Sequence, residues 1–172
     1  WKYADLKSKY DALWPEGWRL AQLQSHIEYG EVVYTAVWKQ TNVAEKQAYG
    51  LTFKDYKALY DALWPEGWRI HLLDVCVLDG EPRYTAVWHQ TYASEIQIYG
   101  WSYPEYNVEY AALWLAGWRL KSINSFVVDG KFQSTAVWNI NPEEELQVCA
   151  WKYDDFKRYY DELWPEGWRL AM

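Results

Sequence analysis

Apolar residues recur at three- and four-residue spacing through Phe53, Tyr56, Leu59, Tyr60, Leu63 and Trp64, which predicts a helix with one stripe turned inward. After Pro65-Glu66-Gly67 the period changes. Two β-rich runs, Trp68 to Leu78 and Glu81 to Gln90, flank Asp79-Gly80, a dipeptide suited to the positive φ angles of a tight hairpin. Further on, Glu95-Ile96-Gln97-Ile98-Tyr99 alternates polar and apolar, as does Glu145-Leu146-Gln147-Val148. That is the period of a half-buried strand, so a short third strand is expected in each place. Thr52 with Asp55, and Ser102 with Glu105, have the spacing of capping boxes at the helix start. Gly67 supplies the left-handed conformation that a helix end commonly needs. In the next unit Leu115-Ala116 replaces Pro-Glu, so the glycine is the part the turn requires.

The same pattern returns every 50 residues without an insertion: residues 1–50, 51–100, 101–150 and a partial unit, 151–172. Columns that never vary include Tyr10/Tyr60/Tyr110/Tyr160, Leu13/Leu63/Leu113/Leu163 and Trp14/Trp64/Trp114/Trp164. A Gly-Trp-Arg triplet begins at Gly17, Gly67, Gly117 and Gly167, and Thr-Ala-Val-Trp at Thr35, Thr85 and Thr135. Such a unit cannot bury its apolar face alone, and stacking units buries a continuous core. The expected fold is therefore α+β: a tandem-repeat array of helix plus antiparallel β-hairpin or three-strand units, forming a solenoid or partial barrel. Residues 1–172 read as a single repeat domain. Solenoid ends expose core, and no unit reads as a cap, which points to a fragment of a longer array or to an end-to-end contact.

Seventeen Lys and Arg against 24 Asp and Glu leave a net charge of -7, which repels phosphate backbones and anionic lipid and argues against nucleic-acid and membrane partners. No stretch approaches the roughly 20 apolar residues of a membrane span, and the first residues lack the basic-then-apolar pattern of a signal peptide. The chain begins at Trp1 without a Met, so a removed leader or flanking domain stays compatible with it. Cys76 and Cys149 stand in different columns, which excludes a repeating disulfide framework and leaves one pair or two free thiols.

Taken together, the 50-residue period, the Leu-x-x-x-Gly-Trp-Arg-Leu sequence, the hairpin glycine and the Thr-Ala-Val-Trp strand resemble the bacterial tandem repeat domain over the whole chain. That repeat occurs in secreted bacterial and fungal proteins and beside β-lactamase-like serine hydrolases, including polyglycine hydrolases. The resemblance implies a helix-and-hairpin repeat with an accessory or recognition role, and a secreted, extracellular setting. The hydrolase's own Ser-x-x-Lys nucleophile motif is missing from the sequence.

Polar residues repeated in every unit make equivalent sites along a surface, whereas an enzyme site is one asymmetric constellation. Repetition thus favours binding over catalysis, and no catalytic residue or cofactor is expected. His26, His71 and His89 fall in three columns without metal-ligand spacing, so they read as surface residues and no metal site is expected. All 14 tryptophans fall in repeat columns. Burying one indole removes about 200 Å² from water, worth about 5 kcal/mol at roughly 25 cal/mol per Å², so most of them belong to the core. Trp1, Trp101 and Trp151 are the exposed candidates, because Leu51 fills their column.

Two sets of residues are candidate ligand contacts. Arg19, Arg69 and Arg119 could hold an acidic or hydroxylated ligand, or instead stack on a ring or pair with the acidic columns. Glu45 with Gln47, Glu95 with Gln97, and Glu145 with Gln147 stand two apart on a strand and share a face. They could bind sugar hydroxyls or a peptide backbone, or form a network internal to the fold. The leading expectation is a non-catalytic, multivalent, lectin-like module for carbohydrate or an extracellular polymer. The alternative is a structural scaffold that binds another protein or itself. In a scaffold the Arg, Glu and Gln columns would be consumed internally, leaving an exposed sheet edge or apolar patch.

Overall fold

The computed structural model describes residues 1–170. The elements follow the repeat: α1 (Tyr3–Leu13), β1 (Trp18–Glu28), β2 (Glu31–Gln40), β3 (Glu45–Leu51), α2 (Phe53–Leu63), β4 (Trp68–Leu78), β5 (Glu81–Gln90), β6 (Glu95–Trp101), α3 (Tyr103–Leu115), β7 (Trp118–Val128), β8 (Lys131–Ile140) and α4 (Tyr153–Leu163). The chain divides into two compact units, residues 1–142 and 143–172. The expected helix-and-hairpin array is present, with three small antiparallel sheets and no closed barrel among the described residues.

Local chemistry sets the boundaries. Thr52 Oγ1 accepts from Asp55 N at 3.2 Å, and the Glu105 carboxylate accepts from Ser102 N at 2.9 Å; each bond satisfies a backbone donor that the helix start leaves open. Gly17 and Gly67 end their helices at φ 81° and 83°. The hairpins turn on Tyr29-Gly30, Asp79-Gly80 and Asp129-Gly130, all at positive φ, the geometry of the mirror-image turns that match strand twist.

One strand goes elsewhere than the 50-residue frame suggests. Sheet order is β1-β2, then β3-β5-β4, then β6-β8-β7. The strand closing one period therefore joins the hairpin of the next period. Its register repeats: Glu45 faces His89 and Gln47 faces Val87, as Glu95 faces Asn139 and Gln97 faces Val137. By contrast Glu145–Val148, expected as a strand, has no assigned strand among the described residues. A strand exists only where a partner offers a ladder, and alternation alone does not provide one.

Packing runs in layers. Tyr56 and Leu63 of α2 meet Ile70, Leu73, Tyr84, Ala86 and Trp88 of their own hairpin, and Phe126 and Val137 of the next hairpin close the same cluster. Likewise Val87 completes the cluster of Leu6, Tyr10, Leu20, Leu23 and Tyr34. The second and third sheets are thus buried on one face by their own helix and on the other by the preceding unit. Trp88 and Trp138 are fully buried and Trp68 nearly so, while Trp1 and Trp151 are exposed and Trp101 is half-buried. The outward face of the first hairpin carries Gln22, Gln24 and His26, all exposed, where the second has Leu72, Asp74 and Cys76. Val37, in the column of the fully buried Val87 and Val137, is exposed beside them.

Candidate functional site

The columns singled out from sequence meet where a third strand passes between two units. The Glu95 carboxylate, nearly buried, accepts from Gln97 Nε2 at 2.5 Å, Tyr60 Oη at 3.1 Å and the Ile70 backbone N–H at 2.8 Å. Gln97 Oε1 accepts from Tyr56 Oη at 2.8 Å and from Tyr99 Oη. The backbone of this strand pairs with β8 of the third hairpin, while its polar side chains grip α2 and β4 of the second unit. Burial pushes the Glu95 carboxyl above its ordinary range, and the Gln97 and Tyr60 hydrogen bonds pull the other way. Burial also raises the Tyr56 and Tyr60 phenols, with Tyr99 and Glu95 adding to it. All these hydroxyls stay protonated and act as donors.

Glu45 and Gln47 repeat the arrangement one unit earlier. The Glu45 side chain is fully buried, accepts from Gln47 Nε2 at 2.6 Å and lies 3.1 Å from His89 Nε2; Tyr49 Oη donates to Gln47 Oε1. Glu145 and Gln147 lie half-buried in the 143–172 unit.

Arg19 and Arg69 turn inward and bond to the fold. Arg19 and Arg69 are 5% and 7% exposed, each with its guanidinium 3.3 Å from a ring centroid, that of Trp14 and Trp64. Nε of Arg69 donates to Ala93 O at 2.6 Å, and Nη1 to Trp64 O and Trp68 O at 2.9 and 2.8 Å; Arg19 does the same with Val43, Trp14 and Trp18. Each ties the helix end to the linker that launches the next third strand. Arg119 is half-buried, 4.7 Å from the Trp114 ring, and donates to Trp114 O and Trp118 O.

Sequence reasoning missed two features. His71 and His89 stack with ring centroids 3.9 Å apart, so they are not independent surface residues. His71 occupies a β-bulge between Ile70 and Leu72, and a bulge places an extra residue out of the strict alternation that sequence patterning assumes. Burial, then His89 and Lys121, pull the His71 pKa from 6.5 to about 4, so it is a neutral ring at pH 7. The second feature is a cleft of about 770 Å³ in the first unit, lined by Tyr3, Tyr10, Trp14, Tyr49, Glu45, Gln47 and their neighbours. Ala48 and Leu51 line it where the next unit has Ile98 and Trp101. The only available signal was this column-by-column loss of bulk.

The model of one family, the polyglycine hydrolase-like structural repeat, matches residues 2–41 and 42–91, more than half of the chain. The chain belongs to that family. Its second matched repeat starts before β3 and ends just after β5, so the family's unit coincides with the sheet β3-β5-β4 and its helix. The family is a structural repeat rather than a catalytic domain. No curated protein matches the chain.

Proposed function

We propose that this chain is a non-catalytic structural scaffold, an accessory repeat of a secreted protein whose partner is protein rather than carbohydrate. The observation that carries this is the internal use of the polar columns: Glu95, Gln97 and Arg69 each bond to the fold itself. A carboxylate that holds a backbone N–H inside the protein is committed, and turning it toward a ligand would orphan that donor at a cost of about 1–3 kcal/mol. A broad glycan-array screen with tryptophan-fluorescence titration tests this: no saturable hit is expected. A sugar that binds saturably, and whose binding is lost when Glu45, Glu95 and Glu145 are replaced in a protein that remains folded, would overturn the scaffold.

The cleft of the first unit supports a second reading, a single carbohydrate site in place of a multivalent one. Its volume lies within the roughly 300–1,000 Å³ of small-molecule pockets, and the rings of Tyr3 and Tyr49 flank it, centroids 5.2 Å apart. Refilling it with Ala48→Ile and Leu51→Trp should abolish any sugar binding while leaving the fold intact. Binding that survives the refilling excludes this cleft.

A further inference from the structure

Tyr56 is fully buried at the centre of the second unit. Its ring stacks on Tyr84 and Tyr60, centroids 5.1 and 6.3 Å away, and stands across Tyr99 at 5.8 Å, while its hydroxyl donates to Gln97 Oε1 at 2.8 Å. The third unit keeps a tyrosine in this column, Tyr106, whereas the first has Leu6. A leucine supplies neither the ring nor the hydroxyl. The residues that enclose Tyr56 have counterparts in the same columns of the first unit, Tyr34, Tyr10, Tyr49 and Gln47, and all four line the cleft of about 770 Å³. The void therefore follows from one repeat column: it lies where the second unit carries its own phenol.

We infer that this cleft is a binding site for a neutral phenol ring, either a tyrosine side chain of a partner protein or a free phenol, seated as Tyr56 is seated in the second unit. The walls have the geometry for it. Tyr34 and Tyr49 stand at 84° to one another, so a ring stacked on Tyr34 meets Tyr49 at its edge, as Tyr56 meets Tyr84 and Tyr99 at 19° and 71°. Stacked and edge-to-face contacts are the favoured aromatic pairings. The hydroxyl also has an acceptor. Gln97 Oε1 accepts from both Tyr56 and Tyr99, whereas Gln47 Oε1 accepts from Tyr49 alone, which leaves one of the two positions of an amide oxygen open. The Glu45 carboxylate beside it selects against an anion, and Lys7 at the same cleft is already paired with Asp11. The inference goes beyond both readings above, since it requires neither a scaffold nor a sugar.

An NMR titration of the full chain with p-cresol, the tyrosine side chain by itself, tests this. Saturable shifts centred on α1, β2 and β3 are expected, and toluene, which lacks the hydroxyl, should bind up to roughly ten-fold more weakly. No saturable shift, shifts centred elsewhere, or equal affinity for toluene overturns the inference. Leu6→Tyr should fill the cleft, abolish binding and raise the melting temperature; p-cresol that still binds this variant overturns the assignment. Gln47→Met keeps the bulk but removes the acceptor, so p-cresol should fall to the affinity of toluene, and an undiminished preference for p-cresol would sink the proposed hydrogen bond. N-acetyltyrosinamide that binds as well as p-cresol assigns the site to a protein's tyrosine, and binding of p-cresol alone assigns it to a free phenol. The phosphorylated tyrosinamide should not bind; equal binding contradicts a site for a neutral ring. A sugar seated in the cleft that p-cresol fails to displace overturns the inference, whereas a sugar bound elsewhere removes the scaffold reading and moves none of these readouts.

Discussion

At the scale of single residues, the invariant polar columns are explained by bonds that only one side chain can make. Glu95 holds the Ile70 N–H and the Tyr60 hydroxyl together inside the protein. Glu95→Ala should therefore destabilise by on the order of 3 kcal/mol in urea unfolding, because two donors lose their acceptor; a change below about 1 kcal/mol would identify a surface residue instead. Arg69 lies flat on Trp64 and spends its fork on three carbonyls. Arg69→Lys keeps the charge but loses the plane, so about 1–2 kcal/mol should go with it. Gly67 and Gly117 share a positive φ, yet a Cβ on Gly67 would come within 2.4 Å of the Tyr92 ring while one on Gly117 meets nothing. Gly117→Ala should cost about 1–2 kcal/mol for the left-handed backbone alone, and Gly67→Ala should also swing the exposed Tyr92 ring aside, as paired melting curves would show.

Among the elements, the third strand matters most, since it belongs to one sheet by its backbone and to the preceding unit by its side chains. The bulge that recurs in each hairpin, at Ala21, His71 and Lys121, is where the units differ. In the second it buries a neutral imidazole. Since the folded pKa of His71 is depressed from 6.5 to about 4, protons bind the unfolded chain more readily over that range. Stability should be complete above pH 6.5 and fall as pH drops toward 4. His71→Ala, which installs the residue of the first unit's bulge, should flatten that slope in denaturant titrations at stepped pH. Glu95 acts oppositely: its raised pKa favours the folded state at low pH and is lost as pH climbs through the raised value, so a residual acid-side gain in the variant would be its signature.

For the whole molecule, each core cluster draws on two units, so local damage spreads. Trp68 is nearly buried beside Tyr56, Ile70 and Trp88 in a cluster that includes Phe126 and Val137 of the next hairpin. Trp68→Ala should cost about 3–5 kcal/mol, and the fluorescence and circular-dichroism transitions should shift together. An early loss of only one unit would show that the layers fold independently. Further ties cross the layers: Ser25 donates to the Asp74 carboxylate, and Ser122 Oγ to Leu73 O at 3.3 Å.

Local order was legible in the chain. Helix α2, the strand limits Trp68–Leu78 and Glu81–Gln90, the glycine stops and the positive-φ turns all follow from periodicity and backbone sterics, which act over a few residues. The repeat length and the polar columns were equally visible. What those columns do was not, because Glu95 binds Tyr60 and Ile70 across 35 and 25 residues, and a pattern of alternation does not say which surface will lie opposite. Tertiary structure alone decided which hairpin each third strand joins and that the Arg and Glu columns turn inward. It also decided that His71 meets His89. The physical reason is the same each time: hydrogen bonds and burial between distant segments depend on how the layers stack, and that is a property of the assembled fold.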